Sequence, residues 1–78
     1  MRMLGEILHP NCKITIMFWN EKYIVKFEQG RCEQTFKVSS LEVSNETDLR
    51  AKLTESFIQK TLARFEIMQL DLGDIEKF

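Results

Sequence analysis

The chain lacks several things, and each absence closes off a class. No stretch approaches the ~18 consecutive apolar residues of a membrane-spanning helix. With only three glycines and one proline in 78 residues, it is neither collagen-like nor a Pro/Gly-rich disordered segment. Repeats and low-complexity runs are absent. A single histidine and two cysteines fall short of the four ligands that structural zinc takes. There is no phosphate loop, nucleophile elbow or paired-carboxylate motif. The expectation is therefore a protein that is not an enzyme and holds no metal or cofactor.

Charge excludes less. The net charge is −1, which argues against a dedicated polyanion binder. Residues 1–40 carry six basic and four acidic side chains, and residues 41–78 carry five and eight. The halves thus differ mildly in sign. Met1 to His9 contains Glu6 and has neither the apolar core nor the small-residue cleavage site of a signal peptide. A cytoplasmic location is expected, with no membrane partner. Two cysteines in that setting are expected to be free thiols.

What remains describes one small domain over residues 1–78. Its hydrophobic fraction of 44% and charged fraction of 29% are ordinary for a globular protein. Pro10 ends whatever precedes it, and residues 1–10 fit either a short helical stripe or an extended segment. From Cys12 the period becomes two. Ile14, Ile16 and Phe18 point one way, and Lys13, Thr15, Met17 and Trp19 the other. Asn20-Glu21 makes a tight turn, because Asn tolerates positive φ. A second strand follows from Lys22 to Glu28, with Tyr23, Val25 and Phe27 on one face. Gln29-Gly30 makes the next turn, and Arg31 to Val38 forms a third strand.

This pattern fixes a register. Phe18 meets Tyr23, Ile16 meets Val25, Ile14 meets Phe27, and Lys13 lies opposite Glu28. In the second hairpin Phe27 meets Cys32, Tyr23 meets Phe36, and Lys26 lies opposite Glu33. Gln34 falls on the apolar face opposite Val25 and needs a hydrogen-bond partner if buried. Cys12 and Cys32 sit on the outer strands of the meander, roughly 9–10 Å apart, too far for a disulfide.

Asn45 or Thr47 can cap a short helical turn ending near Leu53. Thr54 is the better N-cap for a long helix, with Leu53 and Ile58 at hydrophobic-staple positions. Phe57, Ile58, Thr61, Leu62, Phe65, Met68, Leu72 and Ile75 share one helical face. Gly73 is expected to end that helix. The fold class is therefore α+β: a three-stranded antiparallel β-meander, a short helical turn, and one long C-terminal helix packed on one sheet face. The core is expected to include Ile14, Ile16, Phe18, Tyr23, Val25, Phe27, Phe36, Ile58, Leu62, Phe65, Met68 and Leu72.

Two surfaces stand out. The outer sheet face carries Met17, Trp19 and Ile24, bordered by Thr15, Thr35, Lys22, Lys26 and Lys37. Trp and Met are enriched at protein interfaces, and an aromatic among lysines also suits single-stranded nucleic acid. The bland reading is that residues 1–10 or the connector cover this patch. On the long helix, Ile67 and Leu70 project away from the main apolar stripe and call for another contact. The leading functional expectation is a protein-interaction module, with self-association as a homodimer open. The second is weak nucleic-acid binding by the lysine-flanked face. The third is a small enzyme using His9 and Cys12, against which Cys12 faces the core.

The run Trp19-Asn20, Lys22-Tyr23-Ile24-Val25-Lys26, Glu28-Gln29-Gly30 and Glu33-Gln34-Thr35-Phe36-Lys37 resembles a family of short uncharacterised bacterial proteins. These residues describe two hairpins rather than a site. The resemblance implies no activity, cofactor or partner.

Overall fold

A computed structural model describes residues 1–76 of the chain. The elements are β1 (Arg2–Ile7), β2 (Lys13–Trp19), β3 (Lys22–Gln29), β4 (Cys32–Ser39), α1 (Glu46–Lys52) and α2 (Glu55–Ile75). The fold is α+β, with one antiparallel sheet in the order β1-β2-β3-β4.

The expected meander is β2 to β4, and the expectation of three strands is corrected to four. A bulge disguised the first. Met3 pairs with Met17 and Gly5 with Ile16, so Leu4 is an extra residue. Leu4 and Ile7 pack against the core, whereas Met3 and Glu6 lie opposite Met17 and Thr15 on the other face. No period of two survives such an insertion. Gly5 makes the bulge possible. Its φ of 138° is a conformation that side chains rarely adopt, and a Cβ there would lie 2.9 Å from the Arg50 guanidinium.

The first hairpin has the expected register from Lys13 opposite Glu28 through Phe18 opposite Tyr23. Its turn places both Asn20 (φ 54°) and Glu21 (φ 60°) in the left-handed region, the pattern of a type I′ turn. Asn suits that position and Glu does not. Glu21→Gly is therefore expected to stabilise the domain by about 0.5–1 kcal/mol. A higher urea midpoint with an unchanged slope would show it, and a lower one would contradict it.

The second hairpin is displaced by two residues from the expected register. Gln29 lies opposite Cys32, Phe27 opposite Gln34, Val25 opposite Phe36, and Tyr23 opposite Val38. Turn chemistry explains the shift. A loop at Gln29-Gly30 would force Gln29 to positive φ. A loop at Gly30-Arg31 confines positive φ to Gly30 (58°), at the first central position where glycine is favoured. A shift of two leaves every side chain on its own face, so the expected core face is unaffected. It does place Glu28 directly opposite Glu33. Lys26, expected opposite Glu33, lies opposite Thr35 and offsets this repulsion by reaching both carboxylates, at 4.0 and 3.4 Å.

Asn45 caps α1 by accepting from the Asp48 backbone N–H. Thr54 caps α2 by accepting from that of Phe57. The expected stop at Gly73 is corrected: α2 runs on to Ile75. An interior glycine costs a helix only about 1 kcal/mol, and Gly73 is not in the left-handed conformation that ends helices.

The core joins Ile14, Ile16, Val25, Phe27 and Cys32 of the sheet to Val43, Leu49, Ile58 and Phe65. Both helices thus contribute to the same sheet face. Tyr23, Leu62, Met68 and Leu72 pack at its edge. Phe36, expected in the core, is 37% exposed because β4 is an edge strand. Gln34 has the partners its position demands. Its amide donates to the Thr61 carbonyl at 2.9 Å, and its oxygen accepts from Arg64 Nε at 2.8 Å.

Burial along α2 is strong at Ile58, Thr61 and Phe65 and fades toward the C-terminus. The helix is roughly 31 Å long at 1.5 Å per residue, longer than the roughly 26 Å of an eight-residue strand. Its end reaches past the β3–β4 turn, where Arg31 pairs with Glu76. The radius of gyration of 13.9 Å exceeds the roughly 11.5 Å of a compact chain this size. The domain is elongated, with extents of 47 × 25 × 19 Å.

Candidate interaction faces

On the outer sheet face, strand pairing sets Met3, Met17, Ile24 and Lys37 in one row across all four strands. Trp19 and Lys22 are paired one row beyond Met17 and Ile24 on the same face, with Ser39. The N-terminal segment borders this face as a strand, Met1 reaches its cleft, and Thr15 at its centre is buried. β1 extends it as an edge strand and adds Met3, which is 61% exposed. Trp19 is 54% exposed, whereas Ile24 is 7% exposed and forms the floor of the patch. A cleft of about 180 Å³ opens here, lined by Met1, Trp19, Asn20, Lys22, Ile24 and Lys37. That is small beside the roughly 300–1,000 Å³ of drug-sized ligand sites, and its shape suits one or two inserted side chains.

The lysines of this face divide into two sets. Lys13 pairs with Glu6 at 3.8 Å, and Lys26 bridges Glu28 and Glu33. Lys26 therefore leaves the candidate surface. Lys22 and Lys37 form no ion pair among the described residues. Both flank the apolar row. Met1 and Met3 are residues of this patch that sequence reasoning missed, because the bulge hid the N-terminal strand.

Ile67 and Leu70 lie where expected, on the solvent side of α2, 60% and 73% exposed. On the flank of the same helix, Met68, Leu72 and Ile75 line a groove with Arg31 and Cys32.

His9 and Cys12 do not make a nucleophilic pair. His9 Nδ1 accepts from the Asn11 backbone N–H at 3.1 Å, which leaves Nε2–H to donate to Glu55 at 3.2 Å. Both ring nitrogens are engaged, and none is free to serve as base. Burial, followed by the negative charge of Glu55, pushes the Cys12 thiol above its ordinary pKa, the opposite of what a nucleophilic cysteine requires. Both cysteines are free thiols. No group of three or more potential metal ligands occurs among the described residues. None of their helices is long and apolar enough to cross a membrane.

Three carboxyls, two exposed and that of Asp48 half-buried, are held below the ordinary range. The Ser44 backbone N–H and then Lys52 act on Asp48, Gln59 and then His9 on Glu55, and Arg31 on Glu76. A carboxyl depressed on folding stabilises the fold above its unfolded pKa, and loses that contribution as pH falls through the folded value. The urea midpoint is accordingly expected to be flat near neutral pH and to drop below about pH 4. A midpoint unchanged down to about pH 2.5 would show that these carboxyls contribute nothing.

Comparison of the chain with family models, with curated proteins and with solved structures finds no match in any of the three.

Proposed function

We propose that this protein is a non-enzymatic interaction module whose outer sheet face docks an acidic, apolar segment of a partner protein. One observation carries the reading. The row Met3-Met17-Ile24, exposed at Met3 and with exposed Trp19 beside it, is flanked by Lys22 and Lys37, which form no ion pair among the described residues. Trp19 supplies a large rigid contact at little entropic cost, the chemistry of an interface anchor. Met1, Met3 and Met17 are flexible and adapt to a partner's shape. Lys22 and Lys37 select a carboxylate-bearing segment by charge and speed its encounter.

Nucleic acid fits the face less well. Single-stranded binding needs successive aromatic rings for successive bases, and this face carries one. The remaining lysines on it are already paired with carboxylates. A cytoplasmic setting belongs to the same reading, since free thiols persist in a reducing compartment.

Selection from a library of random extended peptides tests the proposal. Binders should be enriched in Asp and Glu interspersed with Leu, Ile or aromatic residues. Lys22→Glu combined with Lys37→Glu should abolish their binding. Enrichment of basic peptides would overturn the reading. So would tighter binding of an oligothymidine than of any selected peptide.

A further inference from the structure

We infer that the outer stripe of α2 is a homodimer interface, on which a second copy packs its own α2 antiparallel. The stripe runs through Lys60, Ala63, Ile67, Leu70 and Asp74. Its alternating spacings of three and four residues are those of a seam between two paired helices. It lies diametrically opposite the side that buries Ile58, Thr61 and Phe65. Two copies joined here would carry their sheets on the outside of a two-helix middle layer, so the sheets do not collide. This surface is separate from the outer sheet face, and neither depends on the other.

Charge chooses the occupant and its direction. The N-terminal half of the stripe carries Lys60 and the C-terminal half Asp74. Neither forms an ion pair among the described residues. Antiparallel packing about a two-fold axis at Ile67 sets the two Ile67 side chains together and Leu70 against the second copy's Ala63, and twice places Lys60 alongside the second copy's Asp74. Parallel packing would instead set each charge against itself. Ala63 keeps the helices close where a larger side chain would separate them. A two-fold axis across the helices generates both contacts at once, as an isologous dimer requires. Exposed Ile67 and Leu70, at 60% and 73%, gain burial that the isolated chain cannot offer them.

About four helical turns make a small contact beside the ~1,600 Å² of a standard interface, so the dimer is weak and depends on concentration. Sedimentation equilibrium from about 10 µM to 1 mM covers the range where such contacts form. The full chain should pass from monomer toward dimer. Leu70→Lys should remain monomeric throughout, with an unchanged circular dichroism spectrum. Lys60→Glu and Asp74→Lys should each weaken association roughly tenfold, because each sets like charges together at two symmetric places.

Mixing those last two variants provides the decisive arm. In the mixed dimer both charge pairs are opposite again, and affinity should return to that of the parent chain. Monomer at every concentration would overturn the inference. A dimer insensitive to Leu70→Lys, or charge variants that fail to recover on mixing, would do the same.

Discussion

Phe65→Ala is expected to leave the chain largely unfolded at room temperature. Phe65 has no exposed surface and belongs to the one cluster that joins both helices to the sheet. Truncating a buried Phe costs about 3–5 kcal/mol. A single core in a domain this small supplies net stability of only about 3–5 kcal/mol. The two figures are comparable, so one side chain decides between folded and unfolded. Far-ultraviolet circular dichroism should lose its cooperative urea transition. A clear transition with a midpoint near that of the parent would mean that α2 is not held to the sheet through Phe65.

Trp19→Ala is expected to do the reverse: to leave the fold intact and remove function. Trp19 ends β2 and is 54% exposed, and surface substitutions usually stay within about 0.5 kcal/mol. As a binding anchor it carries far more. Truncating a hot-spot aromatic costs about 2 kcal/mol or more, roughly thirtyfold in affinity. Binding of an acidic, apolar peptide should therefore weaken by at least that factor while the urea midpoint holds. Binding that survives the substitution would place the docking site elsewhere. A collapsed midpoint would mean that Trp19 belongs to the fold.

Alternation made the middle of the sheet legible. Ile14, Ile16, Val25 and Phe27 obey a period of two, and the acid–base pair Lys13 and Glu28 faces across as the pattern demands. The N-terminal strand was hidden because its one extra residue, Leu4, spoils the period that identifies strands. The second hairpin came out shifted because Gly30 can serve either central position of a two-residue turn. Only the φ of its neighbours distinguishes the two. A shift of two keeps the faces, which is why the apolar side of β4 was correct while its partners were not.

Thr54 was readable as a cap from local chemistry alone, which left Asn45 and Thr47 as alternatives for the shorter helix that Asn45 caps. Val43 and Leu49, both buried, escaped because a connector and a two-turn helix carry too few residues to show a period. Of the candidate surfaces, Trp19, Met17, Ile24 and Lys22 were visible as the outward set of two strands. Lys26 stood among them although the expected register already set it opposite Glu33, and its bridge to Glu28 and Glu33 takes it out of the open set.

The central claim is that the outer sheet face is open and takes an acidic, apolar segment. Trp19 emission, followed while an alternating Glu/Leu peptide is titrated into the protein at low and at high salt, tests it most directly. The account predicts red-shifted emission before the peptide is added, at every protein concentration, since neither fold nor dimer covers Trp19. It predicts a shift to the blue on binding, with an affinity that weakens as salt screens Lys22 and Lys37. Emission already blue in the free protein, or unmoved by the peptide at low salt, would contradict it.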